Sequence, residues 1–171
     1  MDELFALFNL AFATAELGGD LVEVGSWCGR TAMALGLAAK LSGNTRLHCF
    51  DLFPEKTDWH ENLDGTYSIK VSTGEEVVSA YTEHTLWREP YEHDVVPFYE
   101  KHGSNLEVLV EAAQRNGLAD IMSVHRGSSG LLRKHLATDF RCRLAFIDGD
   151  HSRHAVCADI RNIEPYLIQG G

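Results

Sequence analysis

No C-x-x-C or H-x-x-x-H pair and no 2-His-1-carboxylate spacing occurs in the chain, so neither a zinc nor an iron centre is expected. The four cysteines, Cys28, Cys49, Cys142 and Cys157, are scattered. That spacing fits reduced thiols packed inside a cytoplasmic protein better than a disulfide framework. Basic residues are in deficit: 15 Lys and Arg stand against 25 Asp and Glu, a formal net charge of -10. Nucleic acid needs a basic face, so it is not an expected partner. No apolar run can cross a bilayer, the stretch from Leu4 to Ala15 being too short, and the opening Met-Asp-Glu lacks the basic segment of an export signal. What remains, 171 residues with 44% hydrophobic and 23% charged, suits a single domain over 1–171 that buries its own core.

One stretch organises the rest: Leu21 to Thr31, Leu-Val-Glu-Val-Gly-Ser-Trp-Cys-Gly-Arg-Thr. Leu21, Val22 and Val24 read as a buried strand that stops at Gly25, turns to Gly29 and feeds an alanine-rich helix reaching Lys40. Glycine lets the backbone approach a ligand closely, and the helix start offers unpaired N–H groups. The spacing is G-x-x-x-G. It lacks the tight G-x-G of the dinucleotide fingerprint, which disfavours an NAD-dependent oxidoreductase.

The remaining pattern alternates strand and helix. Apolar residues at helical spacing from Asp2 to Leu17 predict a leading helix, broad enough in its apolar face to serve the core or a partner chain. Arg46 to Asp51 reads as a second strand. Its terminal Asp51 lies where a nucleotide's ribose sits in a doubly wound sheet and can accept from two vicinal hydroxyls, or else caps the next turn. Ser104 to Glu107 is a capping box that opens a helix closed by Asn116-Gly117. Ile121 to His125 is a third strand, followed by the small-residue turn Arg126-Gly127-Ser128-Ser129 and a helix to Ala137. Leu144 to Asp148 is a fourth strand ending in Asp-Gly-Asp-His, and a helix over Ser152 to Leu167 follows. This order predicts an α/β fold, a Rossmann-like doubly wound parallel sheet with helices on both faces.

Residues 52–104 break the rhythm. Over Pro54 to Ser104, eleven acidic residues stand against four basic ones, a net -7, with many aromatics and four of the nine histidines. So long an insertion at the ligand end of a sheet is expected to be a lid or substrate wall, its acidity suited to a cationic or polyhydroxylated acceptor. No second sheet is signalled there, and Glu75 to Trp87 reads as helical.

Two of these clusters carry a family likeness. Glu23, Gly25, Trp27, Gly29 and Thr31 resemble motif I of the class I S-adenosylmethionine (SAM) methyltransferases, in the form found in small-molecule O-methyltransferases of the catechol and macrolide-sugar types. Asp148-Gly-Asp-His151, followed by Pro165-x-Leu167-x-x-Gly170-Gly171, is similar to their motif IV region. The resemblance implies a strand order of 3-2-1-4, which sets Gly25 and Asp148 on opposite lips of one crevice. It further implies Glu23, Gly25, Ser26, Trp27, Gly29 and Thr31 around the methionine and ribose of SAM, Asp51 on the ribose, and Gly127 and Ser128 beside the adenine. Asp148 touches the cofactor or holds a divalent cation such as Mg2+, and His151 takes the proton of a small hydroxylated acceptor. Relatives continue past Gly-Gly into three more strands, some of whose residues complete the metal site. A sheet without those strands is expected to leave the fourth strand's edge for a homodimer to cover, the leading helix being the other candidate interface. A SAM-binding or dimerisation module without catalysis is the alternative that this reading leaves open.

Overall fold

A computed structural model describes residues 3–171 of the protein. In chain order the elements are α1 (Glu3–Ala13), β1 (Asp20–Val24), α2 (Arg30–Ser42), β2 (Leu47–Asp51), β3 (Trp59–Glu61), β4 (Tyr67–Ser72) and β5 (Val77–Ala80). There follow α3 (Arg88–Pro90), α4 (Val96–His102), α5 (Asn105–Arg115), β6 (Met122–Arg126), α6 (Leu132–His135), β7 (Cys142–Ile147) and α7 (Arg153–Ile163). Asp2, the expected start of the leading helix, lies outside the described residues.

Four strands form a parallel sheet in the order β6-β2-β1-β7, the 3-2-1-4 arrangement that the family resemblance implies. Side chains alternate across it, so each strand serves two layers. Leu21, Leu47, Cys49 and Leu144 pack with Ala11 of α1, with Ala32, Leu35 and Ala38 of α2, and with Leu109 and Ala113 of α5. Val22, Val24, Phe50 and Cys142 face the other way, against Leu132 of α6 and Ile163 of α7. Helices therefore cover both faces. Phe5, Leu10 and Phe12 on the outer side of α1 stay exposed. At the amino end of the sheet the buried Arg143 guanidinium donates to Gly19 O and Thr45 Oγ1 at 2.8 and 2.7 Å, which ties three chain segments together.

The insertion departs from expectation. It holds a second sheet, antiparallel in the order β3-β4-β5, and Val77–Ala80 is strand where helix was expected. The physical reason is local alternation: Ile69 and Val71 are buried while Lys70 and Ser72 point out, a period of two. Val77 and Val78 are β-branched and pair back on Ser72 and Val71. A helical segment then runs from α3 to α4 through a π-helical turn over Tyr91–Val95, where Val96 N–H donates to Tyr91 O. Pro97 lies next in the chain and brings no N–H to the helix. Trp59, Ile69, Val71, Ala80 and Tyr99 give the insertion a small core of its own.

Elsewhere the expected elements are present with their bounds moved by a few residues. The helix expected from Ser129 to Ala137 is a 3-10 turn over Ser129–Leu131 leading into α6, with Ser128 Oγ accepting from Gly130 N–H. The last helix ends at Ile163 and passes into a 3-10 turn over Glu164–Tyr166 that contains Pro165. At Ser104 the hydroxyl accepts from Glu107 N–H, as a capping box requires, while the Glu107 carboxylate meets that hydroxyl at 3.2 Å. Beyond it, Leu167 forms an isolated parallel bridge to Cys142 at the edge of β7.

Candidate functional site

Four loops leave the carboxyl ends of β1, β2, β6 and β7 at one level, because ladder hydrogen bonds continue past the strand ends. Gly25 N–H donates to Phe50 O, Asp148 N–H to Val24 O, and Gly127 N–H after β6 to Asp51 O, each at 2.8 Å. The contact between the β1 and β7 tips is so close that a Cβ on Gly25 would stand 2.2 Å from the Asp148 carbonyl oxygen. Gly25 also holds φ +89. Only glycine meets both conditions.

Above these tips lies a cavity of about 550 Å³, inside the range of small-molecule and cofactor sites. Of the residues expected at the site, Gly25, Trp27, Asp51, Gly127, Ser128, Asp148 and His151 line it. Glu23, Ser26, Gly29 and Thr31 do not, and instead shape the turn from beneath. Glu23 is fully buried, points into the α2 layer by strand alternation, and accepts from Thr31 Oγ1 at 2.5 Å. Burial pushes its carboxyl above the usual range. Gly29, at φ +84, packs on the Leu109 side chain and starts α2.

Asp51 anchors the lip of the cavity that the β1 and β2 loops form. Its Oδ2 accepts from Trp27 N–H at 2.9 Å and its Oδ1 from Phe53 N–H at 2.6 Å. Trp27 and Phe53 both hold positive φ, +47 and +42. Two strained residues are thus fixed by one carboxylate, which keeps further lone pairs for vicinal hydroxyls. Burial raises the Asp51 carboxyl, against the pull of the backbone hydrogen bonds. Trp27 itself is exposed at the rim and stacks on Phe98 of α4, ring centroids 6.2 Å apart.

On the opposite lip, after β7, Asp148 and His151 are both exposed to the cavity. Asp150 ties this lip to the insertion, accepting from Ser152 N–H at 2.7 Å and from Tyr81 N–H at 3.3 Å. Burial works to raise its carboxyl, but these hydrogen bonds hold it below the usual range. His154 Nδ1 lies 3.2 Å from Glu83 Oε1 of the insertion.

Several cavity residues had no signal in the sequence. The insertion supplies a wall from Ile69, Val78, Ser79, Ala80 and Tyr81, set in place by the pairing of β5 on β4. Glu76, in the turn between those strands, holds Ser128 by both its N–H and its hydroxyl, at 2.6 and 2.8 Å. Asp159 accepts from Ser129 Oγ at 2.6 Å, so α7 braces the same turn. Sequence separations of thirty or more residues hide both contacts.

The cavity lining fits SAM in its donor and acceptor set: the Asp51 carboxylate at one lip, four aspartates in all, and no Lys or Arg to oppose a cationic cofactor. It does not fit Mg2+. Among the described residues no group of three or more His, Cys, Asp or Glu could hold a metal ion, and Asp148 alone is too few ligands. Nor is any helix long and apolar enough to cross a membrane among them.

The fold is similar to that of a solved structure, the calicheamicin methyltransferase CalS11, with a TM-score of 0.56 at 16% sequence identity. The match covers 98% of this chain and 61% of that one, so the chain spans less than two thirds of its neighbour's length. No curated protein matches the chain in sequence. The sequence model of a family described as a methyltransferase domain matches residues 22–171, from β1 through both lips of the cavity. The chain belongs to that family, the class I SAM-dependent methyltransferases.

Proposed function

We propose that the chain transfers a methyl group from SAM to a hydroxyl oxygen of a small acceptor. The observation that carries this reading is that Asp51 on one lip and Asp148 and His151 on the other line one and the same cavity. The structural neighbour is a calicheamicin methyltransferase, which supports a small-molecule acceptor.

SAM, when bound, supplies a methyl carbon on a sulfonium that is open to in-line displacement. The protein's share is alignment and proton removal. In this reading Asp51 holds the ribose hydroxyls, and Gly25 and Trp27 admit the methionine end past the turn. Gly127 and Ser128 form the shelf for the adenine, with Glu76 fixing that shelf. His151 takes the acceptor's proton through a neutral imidazole, and Asp148 orients the acceptor beside it.

His151→Ala is therefore expected to lower turnover about 100-fold while leaving SAM affinity unchanged, the usual size of a lost general base. Transfer of labelled methyl from SAM to a panel of hydroxylated acceptors, with binding followed by calorimetry, checks both halves. Equal turnover in the variant would remove His151 from its role. SAM binding with no transfer to any acceptor would favour a binding module.

A further inference from the structure

Tyr81 sits just past β5, where the insertion returns toward the core. Its backbone holds φ +56, a conformation costing an L-residue about 1–3 kcal/mol and kept only where the surroundings enforce it. Here they do. Its N–H donates to Asp150 Oδ2 at 3.3 Å, and its carbonyl accepts from Ser68 Oγ at 3.2 Å. Its ring packs against the buried Trp59, centroids 5.7 Å apart. Trp59 Nε1 donates to the Tyr99 hydroxyl, which donates to Pro54 O at 2.7 Å. Backbone and ring are both held in place.

The hydroxyl is not. Among the described residues it makes no hydrogen bond, although Tyr81 lines the cavity. Tyr81 shares that cavity with Asp51 on the cofactor lip and with Asp148 and Asp150 on the acceptor lip, and its backbone is tied to Asp150. A residue in the wall that joins those lips borders the path a methyl group must take. The aspartates nearest the protein's own donors are already engaged: Asp51 by Trp27 and Phe53, Asp150 by Ser152 and Tyr81, Asp159 by Ser129.

We propose that Tyr81 is a specificity residue for the methylated cofactor: its neutral phenol oxygen faces the sulfonium and favours SAM over the demethylated product, S-adenosylhomocysteine. The proposal rests on the methyltransferase reading above, which sets the sulfonium between the two lips. The chemistry is electrostatic. A sulfonium spreads positive charge onto its methyl hydrogens, and an oxygen lone pair held nearby is attracted to that charge, whereas the product's thioether is neutral. A phenolate would be the wrong oxygen. It would attack the methyl carbon itself, forming an O–C bond as the C–S electron pair returned to sulfur. Burial first, and then the three carboxylates, raise the Tyr81 phenol above its ordinary value and keep it protonated.

The test is calorimetric titration of wild type and Tyr81→Phe with SAM and with S-adenosylhomocysteine, thermal midpoints confirming that the variant is folded. The expected result is about fivefold weaker SAM binding in Tyr81→Phe, the size of one net polar interaction, with product affinity held within about twofold. Equal weakening of both ligands would make Tyr81 a wall and nothing more, and no change in either would also overturn the proposal. If the wild type binds neither ligand, the methyltransferase reading itself fails. That outcome is distinct from the loss of Tyr81's role alone.

Discussion

Replacing Gly25 with alanine is expected to destabilise the protein by about 4 kcal/mol, at the upper end of single-substitution effects, because two costs fall on one atom. The first is conformational: φ +89 is open to glycine and disfavoured for alanine. The second is steric and larger. The added Cβ would lie 2.2 Å from the Asp148 carbonyl oxygen, 2.4 Å from its carbon and 2.5 Å from Gly149 N, all backbone atoms of the neighbouring strand end. No flexible side chain is there to yield, so β1 and β7 must part at the lips of the cavity. Gly65 provides the control. It has φ +80 and nothing within 4 Å of its virtual Cβ, so Gly65→Ala is expected to show the backbone cost alone, about 1 kcal/mol. Urea denaturation of both variants separates the two costs. Similar losses would mean that the β1–β7 contact is not tight.

Asp51→Ala is expected to weaken S-adenosylhomocysteine binding about 100-fold, or ~2.7 kcal/mol. The loss has two sources. The ribose loses an ionised acceptor, and the N–H groups of Trp27 and Phe53 lose the carboxylate that holds them at positive φ. Asp51→Asn retains one acceptor oxygen and should fall between alanine and wild type. The pH dependence has a defined sign: burial raises the Asp51 carboxyl, so affinity falls as pH is lowered through that raised value, and the fall begins at a higher pH than an exposed aspartate would give. Calorimetry across an acidic pH series measures it. Unchanged affinity in Asp51→Ala would remove the carboxylate from the cofactor lip.

The sequence makes the two lips legible and most of the wall between them illegible, for physical reasons. Leu21 to Gly29 and Leu144 to His151 are local signals: buried β-strand residues, a glycine stop, and a polar tip whose position follows from strand order. Alternation within β1 also explains why Glu23 lies under the turn while Val24 lines the cavity, since Leu21 and Glu23 share the α2 side of the sheet and Val22 and Val24 face away from it. The insertion is different. Its strands β3 and β5 are three and four residues long, too short for a period to show, and β5 is largely exposed on its outer side. Glu75 to Trp87 therefore reads as helix by composition, although pairing with β4 decides its conformation. Tyr81 acquires its place from Asp150, 69 residues away, and Glu76 from Ser128, 52 residues away. Such contacts are properties of the folded chain and leave no trace in a window of sequence.

A crystal grown with S-adenosylhomocysteine bears most directly on all of this. The adenosine is expected to span from Asp51 to the Gly127-Ser128 turn, with the sulfur between Trp27 and Tyr81 and directed at Asp148 and His151. Product bound elsewhere on the chain, or no binding at millimolar concentration, would contradict the account.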